Sequence, residues 1–129
     1  MNEKSRHRTG FIRIWFALRY SLSGLRSAFI REAAFRQETC AYVLLMTALC
    51  FLPLSGVFKC VLFLASTLVL IVEIVNSAIE TIVDMAAPEY NDFAKRAKDL
   101  GSAAVFVSLV LAVVLWGRAA FLLLTGKGQ

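Results

Sequence analysis

Four polar side chains follow a strongly apolar run and are spaced so that they could act together. After "CVLFLASTLVLI" comes "VEIVNSAIETIVD", which contains Glu73, Asn76, Glu80 and Asp84. At about 100° of rotation per residue, a helix places all four within about 80° of one another, with Ser77 at the rim. A charge near the centre of a bilayer costs at least about 2.5–3.5 kcal/mol, so this polar face must point at protein, water or a bound cation.

The residue types on the polar face favour metal binding and acid–base chemistry. Two carboxylates about two turns apart, with an amide between them, suit a hard cation such as Mg²⁺ together with a general base. The structural alternative is that the face only joins helices through polar contacts. Asn or Ser would serve that purpose at a lower burial cost than Glu, so the chemical interpretation is favoured.

The composition indicates a membrane protein. Of the 129 residues, 59% are hydrophobic and 18% are charged, whereas an ordinary soluble domain has about 25% charged residues. The net charge of +5 could suggest nucleic-acid binding. Eight basic residues, however, precede Cys40, and three more form the segment "KRAK" between apolar runs, which is typical of cytoplasmic segments of membrane proteins. The expected partners therefore include membrane lipids and no nucleic acid.

Cysteine and histidine do not indicate a separate site. Cys40, Cys50 and Cys60 lie in or beside apolar sequence without the close pairing of a zinc centre. His7 lies in a basic leader with no second ligand candidate nearby, so it is interpreted as a solvated residue.

Three segments are long and apolar enough to cross a membrane, and all 129 residues are predicted to form one integral membrane domain. The spans are expected at about residues 39–55, 60–87 and 99–123. Three spans place the termini on opposite sides. Because the basic N-terminal segment and "KRAK" both favour the cytoplasm, we expect a multi-pass membrane protein with its N-terminus inside the cell and its C-terminus outside.

Between a basic leader, residues 1–10, and the first span lies a surface helix region, residues 11–37. Apolar residues recur there at alternating steps of four and three, forming one stripe along a helix: Phe11, Trp15, Leu18, Leu22, Leu25 and Phe29. Arg19 and Arg26 flank this apolar stripe, where their stems can lie along it. The pattern favours a helix on the membrane surface, and an ordinary soluble amphipathic helix is the alternative.

Three polar motifs carry a resemblance to a known family. "EAAFRQE", "VEIVNSAIETIVD" and "RAKDLGSAAV" occur in this order around the three expected spans. Together they closely resemble the prokaryotic diacylglycerol kinase family, and the resemblance extends from Gly10 to about Trp116. It implies an all-α homotrimer of three-span subunits in the bacterial inner membrane, each with a surface helix and a periplasmic C-terminus. It also implies transfer of the γ-phosphate of ATP to the free hydroxyl of diacylglycerol, which gives phosphatidic acid.

The resemblance also implies roles for individual residues. Glu73 matches the catalytic base, Glu32 and Glu80 match the carboxylates that bind Mg²⁺ and ATP, and Asn76 and Asp84 belong to a supporting polar motif. The other positions matched to ATP are Arg13, Tyr20, Glu89, Tyr90, Asn91, Lys98 and Asp99. The positions matched to the lipid substrate are Arg13, Arg19, Ser21, Arg26, Glu73 and Ser102. Two positions depart from the family pattern: Asn91 replaces a histidine, and Phe16 replaces a basic residue.

Other functions remain open at the level of sequence. An undecaprenol kinase of the same superfamily would use the same residues on a different lipid alcohol. Intramembrane carboxylates could also line a cation pathway, although the far end of the polar helix supplies only Ser66 and Thr67. A non-catalytic adaptor would not need Glu32, Glu73 and Glu80 together. There is no P-loop, since "GSAAV" lacks the glycine and lysine pattern, so an ATP site must be built from helix faces.

Overall fold

The computed structural model describes residues 10–126, and this range contains four α-helices. Their bounds are α1, Phe11–Arg31; α2, Ala33–Phe51; α3, Gly56–Ala86; and α4, Asp92–Leu124. The predicted all-α class is confirmed. His7 and the rest of the leader before Gly10 lie outside the described residues.

Two of these helices, α3 and α4, are long and apolar enough to cross a membrane. With 31 and 33 residues they are about 45–50 Å long, which exceeds the apolar thickness of a bilayer of about 30 Å. The shorter α2 carries Arg36 and Glu38 near its start, and only its second half is uncharged. The first expected span, residues 39–55, therefore stays a prediction.

The predicted surface helix region consists of two elements instead of one. Glu32 has extended backbone angles, φ −98° and ψ 114°, and separates α1 from α2. The guanidinium of Arg36 donates hydrogen bonds to the backbone oxygens of Phe29 and Ile30, at 3.2 and 2.9 Å. These bonds satisfy carbonyl groups that the end of a helix leaves without partners. The motif "EAAFRQE" thus contains the corner between α1 and α2, and the helical backbone is interrupted at Glu32.

Helices α3 and α4 form an antiparallel pair that holds the rest of the chain together. Three contacts record the direction: Asp84 with Lys98, Asn76 with Gly101, and Ser66 with Trp116. The buried residues of α4 are all small, namely Gly101, Ser108 and Ala119. Small residues let helix backbones approach closely, which is common where helices pack inside membranes.

The second helix packs onto this pair near the turn between α2 and α3. Leu49, Leu54, Leu62 and Ala119 form the buried apolar cluster there, and Trp116 packs against it. The hydroxyls of Tyr42 on α2 and Thr67 on α3 are 3.1 Å apart and share a hydrogen bond.

Helix α1 buries no residue within the chain. Its apolar stripe is exposed throughout, and Phe11, for example, is 90% exposed. The outward faces of α3 and α4 also carry many exposed apolar side chains. A continuous apolar exterior of this kind is expected where a protein meets lipid or further subunits.

Candidate active site

Burial changes steadily along the polar face of α3. Glu73 and Asn76 are only 5% and 8% exposed, Glu80 is half-buried, and Asp84 is exposed. All four lie on one unbroken helix, as the spacing predicts. The deepest residue is therefore a carboxylate, and the most exposed one lies about three turns away at the end of the helix.

Two side-chain contacts order the rest of the polar face. The amide Nδ2 of Asn76 donates to Oε1 of Glu80 at 3.1 Å, one turn along α3. Lys98 Nζ on α4 donates to Oδ1 of Asp84 at 2.9 Å. A charge-assisted bond of this length ties the two helices together next to their connecting loop.

Three carboxylates, those of Glu32, Glu38 and Glu80, lie within electrostatic range of Glu73. The charges of Glu80 and Glu32 act on Glu73, and the charge of Glu73 acts on Glu38. Glu32 reaches this carboxylate cluster because the corner between α1 and α2 brings the first motif beside the second. Like charges at short range repel, so the cluster gains stability from a bound cation.

The donor set around Glu73 is that of a hard divalent cation. In residues 10–126, no three His, Cys, Asp or Glu side chains converge closely enough to form a complete metal centre. Mg²⁺ does not require one, because it usually takes one or two carboxylates and completes its shell with water and phosphate oxygens. Glu32 and Glu80 therefore supply the type of oxygen donor that Mg²⁺ prefers.

A cavity of about 370 Å³ opens where the loop joins α3 to α4. Five of the residues matched to ATP line it together with Asp84: Glu89, Tyr90, Asn91, Lys98 and Asp99. The other four do not line this loop cavity: Arg13 and Tyr20 lie on α1, Glu32 between α1 and α2, and Glu80 on α3. Asp84, which lines the loop cavity, lies four residues after Glu80, about one turn further along α3.

Two residues of the loop have structural roles as well. Asn91 is the N-cap of α4, since its Oδ1 accepts from the backbone N–H groups of Phe93 and Ala94 at 2.8 and 3.3 Å. The hydroxyl of Tyr90 donates to Asp92 Oδ1 at 3.0 Å. The position that departs from the family pattern, Asn91, is thus suited to starting the helix.

The residues matched to the lipid substrate are distributed over three helices, with Glu73 on α3 and the other five on α1 and α4. Arg13, Arg19, Ser21 and Arg26 lie exposed on α1, and Ser102 lies exposed on α4. Within residues 10–126, no hydrogen bond or ion pair joins them to the carboxylate cluster. The hydroxyl of Ser21 donates instead to the Ala17 carbonyl at 3.0 Å, inside its own helix.

One carboxylate of the cluster was not singled out from the sequence. Glu38 ends the first motif, and its Oε2 is buried without a hydrogen-bond partner in the described chain. It lies at the polar end of an apolar crevice of about 210 Å³ between α2, α3 and α4, which Tyr42 and Trp116 also line. The sequence signal for Glu38 is its position six residues after Glu32 in the same polar motif.

Comparisons with known proteins identify the family of this chain. Residues 19–120 match the prokaryotic diacylglycerol kinase family. The diacylglycerol kinase of Escherichia coli K12 is 48% identical over 108 residues, covering 84% of this chain and 88% of the relative. That of Pseudomonas aeruginosa is 44% identical with the same coverage, and that of Haemophilus influenzae is 39% identical over 88% of this chain and 96% of its own length. The chain is thus a membrane kinase that belongs to the prokaryotic diacylglycerol kinase family.

Proposed function

We propose that this enzyme transfers the γ-phosphate of ATP to the free hydroxyl of 1,2-diacylglycerol at the cytoplasmic membrane surface, giving phosphatidic acid. The observation that carries the proposal is the depth of Glu73. It is buried on α3, seven residues from the half-buried Glu80, which corresponds to about 10 Å along the helix. A lipid hydroxyl approaching from the bilayer and a nucleotide approaching from the loop cavity would meet between these two carboxylates.

Glu73 is the proposed general base. It takes the proton from the lipid hydroxyl as the hydroxyl oxygen attacks the γ-phosphorus. One oxygen–phosphorus bond forms, the bond from the γ-phosphorus to the bridging oxygen of the β-phosphate breaks, and ADP leaves. Such transfers depend mainly on positioning and charge neutralisation, and a well-placed base contributes about 10²–10⁴-fold.

Glu32 and Glu80 are the proposed ligands of magnesium. Their carboxylate oxygens match its preference for hard donors, and the repulsion within the carboxylate cluster supports cation binding. Magnesium bound there would neutralise charge on the β- and γ-phosphates. The hydrogen bond from Asn76 fixes one oxygen of Glu80 and leaves the other available.

The loop cavity is the proposed nucleotide site. Lys98 lies 2.9 Å from Asp84 at its edge and supplies positive charge for a phosphate. Arg13 and Tyr20 are proposed to reach the nucleotide from α1, either within one subunit or across a homotrimer. Assembly is supported by the exposed apolar faces of α3 and α4, and attachment of α1 to the membrane surface by its uncovered apolar stripe.

A cation pathway has less support than phosphoryl transfer. Such a pathway would need polar groups free to contact an ion along the whole span. Ser66 and Thr67, the polar residues of the far half of α3, are both engaged in hydrogen bonds, with Trp116 and Tyr42 among their partners. On α3, the one buried side-chain polar atom without a hydrogen-bond partner in residues 10–126 is Oδ1 of Asn76, which lies in the other half of the helix, three residues after Glu73.

The test is to identify the lipid that acquires label. The full-length protein in mixed micelles receives Mg²⁺, ATP labelled at the γ-phosphate, 1,2-diacylglycerol and undecaprenol. We expect labelled phosphatidic acid that disappears when the metal is chelated, and no label on a diacylglycerol whose free hydroxyl is methylated. Labelled undecaprenyl phosphate alone would assign the other lipid alcohol, and no labelled lipid would refute the proposal.

A further inference from the structure

We propose that Gly101 is a positioning residue for the metal ligand Glu80, acting through Asn76. The inference rests on the proposed magnesium site and names a residue to which no role was given. Gly101 belongs to the motif "RAKDLGSAAV", is buried on α4 and packs directly against Asn76 on α3.

The contact between the two helices leaves no room for a side chain at position 101. A Cβ there would overlap Oδ1 of Asn76 and would lie 3.3 Å from its Cγ and 3.9 Å from its Cβ. Outside the neighbouring part of α4, the three nearest heavy atoms all belong to Asn76. The carboxamide of Asn76 therefore occupies the space that a side chain at position 101 would need.

This space fixes the orientation of the carboxamide. Oδ1 of Asn76 is buried and accepts no hydrogen bond within residues 10–126. Its orientation is thus set on one side by the gap at Gly101 and on the other by the bond from Nδ2 to Glu80 Oε1 at 3.1 Å. A group that holds a metal ligand in place in this way commonly changes metal affinity when it is altered.

Alanine at position 101 would move Asn76 rather than break the helix. Gly101 has ordinary helical geometry, and alanine is a better helix former than glycine. The first atom in conflict is the end of a side chain, which can rotate, whereas backbone cannot. Asn76 is only 8% exposed, so its side chain has little free space in which to rotate. A rotation would therefore break or bend the hydrogen bond to Glu80.

The test compares Gly101→Ala with Gly117→Ala on the same helix. A Cβ at Gly117 has nothing within 4 Å in the described chain, so this variant is the matched control. Binding of Mn²⁺ in the presence of a non-hydrolysable ATP analogue is measured by electron paramagnetic resonance, which needs no turnover. We expect Gly101→Ala to weaken Mn²⁺ binding about tenfold and to raise the Mg²⁺ concentration for half-maximal activity, with Gly117→Ala unchanged.

A second pair of variants separates positioning from simple packing. In an Asn76→Ala background the carboxamide is gone, so adding Gly101→Ala should change Mn²⁺ binding no further. An equal additional loss in that background, or failure of the double variant to fold, would overturn the inference. So would wild-type Mn²⁺ binding by Gly101→Ala. A wild-type protein that binds Mn²⁺ and nucleotide yet labels no lipid would instead count against the proposed function alone.

Discussion

Lys98 and Asp84 form an ion pair of 2.9 Å that joins α4 to α3 at the mouth of the loop cavity. Their side chains are 41% and 66% exposed, so water and salt screen the pair and it contributes little to folding stability. Its effect is geometric, because it holds the ammonium group of Lys98 beside the cavity where the proposed nucleotide phosphates bind.

Asp84→Asn is therefore expected to affect nucleotide binding more than stability. With its partner neutralised, Lys98 loses its fixed position, and loss of a charge-assisted hydrogen bond corresponds to about tenfold in KM for ATP. The melting temperature should stay close to that of the wild type. Thr81→Ala, an exposed change on the same helix, serves as the control. An unchanged KM for ATP would show that the ion pair does not position Lys98.

Glu73→Gln tests the proposed base. Glutamine keeps the size and hydrogen-bonding capacity but cannot accept the proton, so kcat should fall by about 10²-fold or more. Nucleotide affinity and subunit assembly in detergent should change little, because Glu32 and Glu80 remain. Kinetics, nucleotide binding and size-exclusion chromatography on one preparation check this. Near-normal turnover would mean that Glu73 only joins helices, a purpose that an amide serves as well.

Glu32→Gln and Glu80→Gln test the proposed metal ligands. Each removes one carboxylate and leaves more phosphate charge uncompensated, so the Mg²⁺ concentration for half-maximal activity should rise about tenfold or more. High Mg²⁺ should restore part of the rate in both variants. A magnesium titration checks this, and wild-type curves for both would refute the assignment.

Asn91 allows its helix cap to be separated from a nucleotide contact. Asn91→Ala removes the acceptor for two backbone N–H groups and should cost about 1 kcal/mol of stability, whereas Asn91→Asp keeps the cap. If Asn91 also contacts ATP, both variants should raise KM, and only alanine should lower the melting temperature. Thermal unfolding and KM for ATP are measured on the two variants together. Equal melting temperatures would contradict the capping role.

The three-span arrangement can be tested with topology reporters. A reporter fused after Gln129 should be periplasmic, and one inserted near Asp92, beside "KRAK", should be cytoplasmic. If both reporters lie on the same side, α4 does not cross the membrane. A reporter at the N-terminus tests α2, because with α3 crossing it should lie on the same side as the reporter near Asp92 only if α2 crosses as well.

The periodicity of the sequence predicts the helices and the polar face because both depend on local geometry. The run before Glu73 is long and apolar, and the four polar residues repeat at helical spacing, so α3 and its face could be derived directly. The sequence also contains a signal for the N-cap at Asn91, since an asparagine before an acidic first turn favours a helix start.

The break at Glu32 and the contact of Gly101 with Asn76 could not be derived in this way. No proline or glycine marks position 32, and the break is held by Arg36 reaching back to Phe29 and Ile30. The approach of Gly101 to Asn76 depends on the register of α3 against α4, which the periodicity of either helix leaves undetermined. Both features depend on tertiary packing.

Because Glu32 is the single extended residue between α1 and α2, α1 can pivot about it as a rigid rod. A rotation of 10° about either backbone torsion of Glu32 would swing the far end of this helix, about 30 Å away, by about 5 Å. The two hydrogen bonds from Arg36 resist that swing at the pivot. Arg13 lies near the start of α1, so its position depends on hydrogen bonds made by Arg36 about 30 Å away. Arg36 belongs to the same seven-residue motif that supplies Glu32.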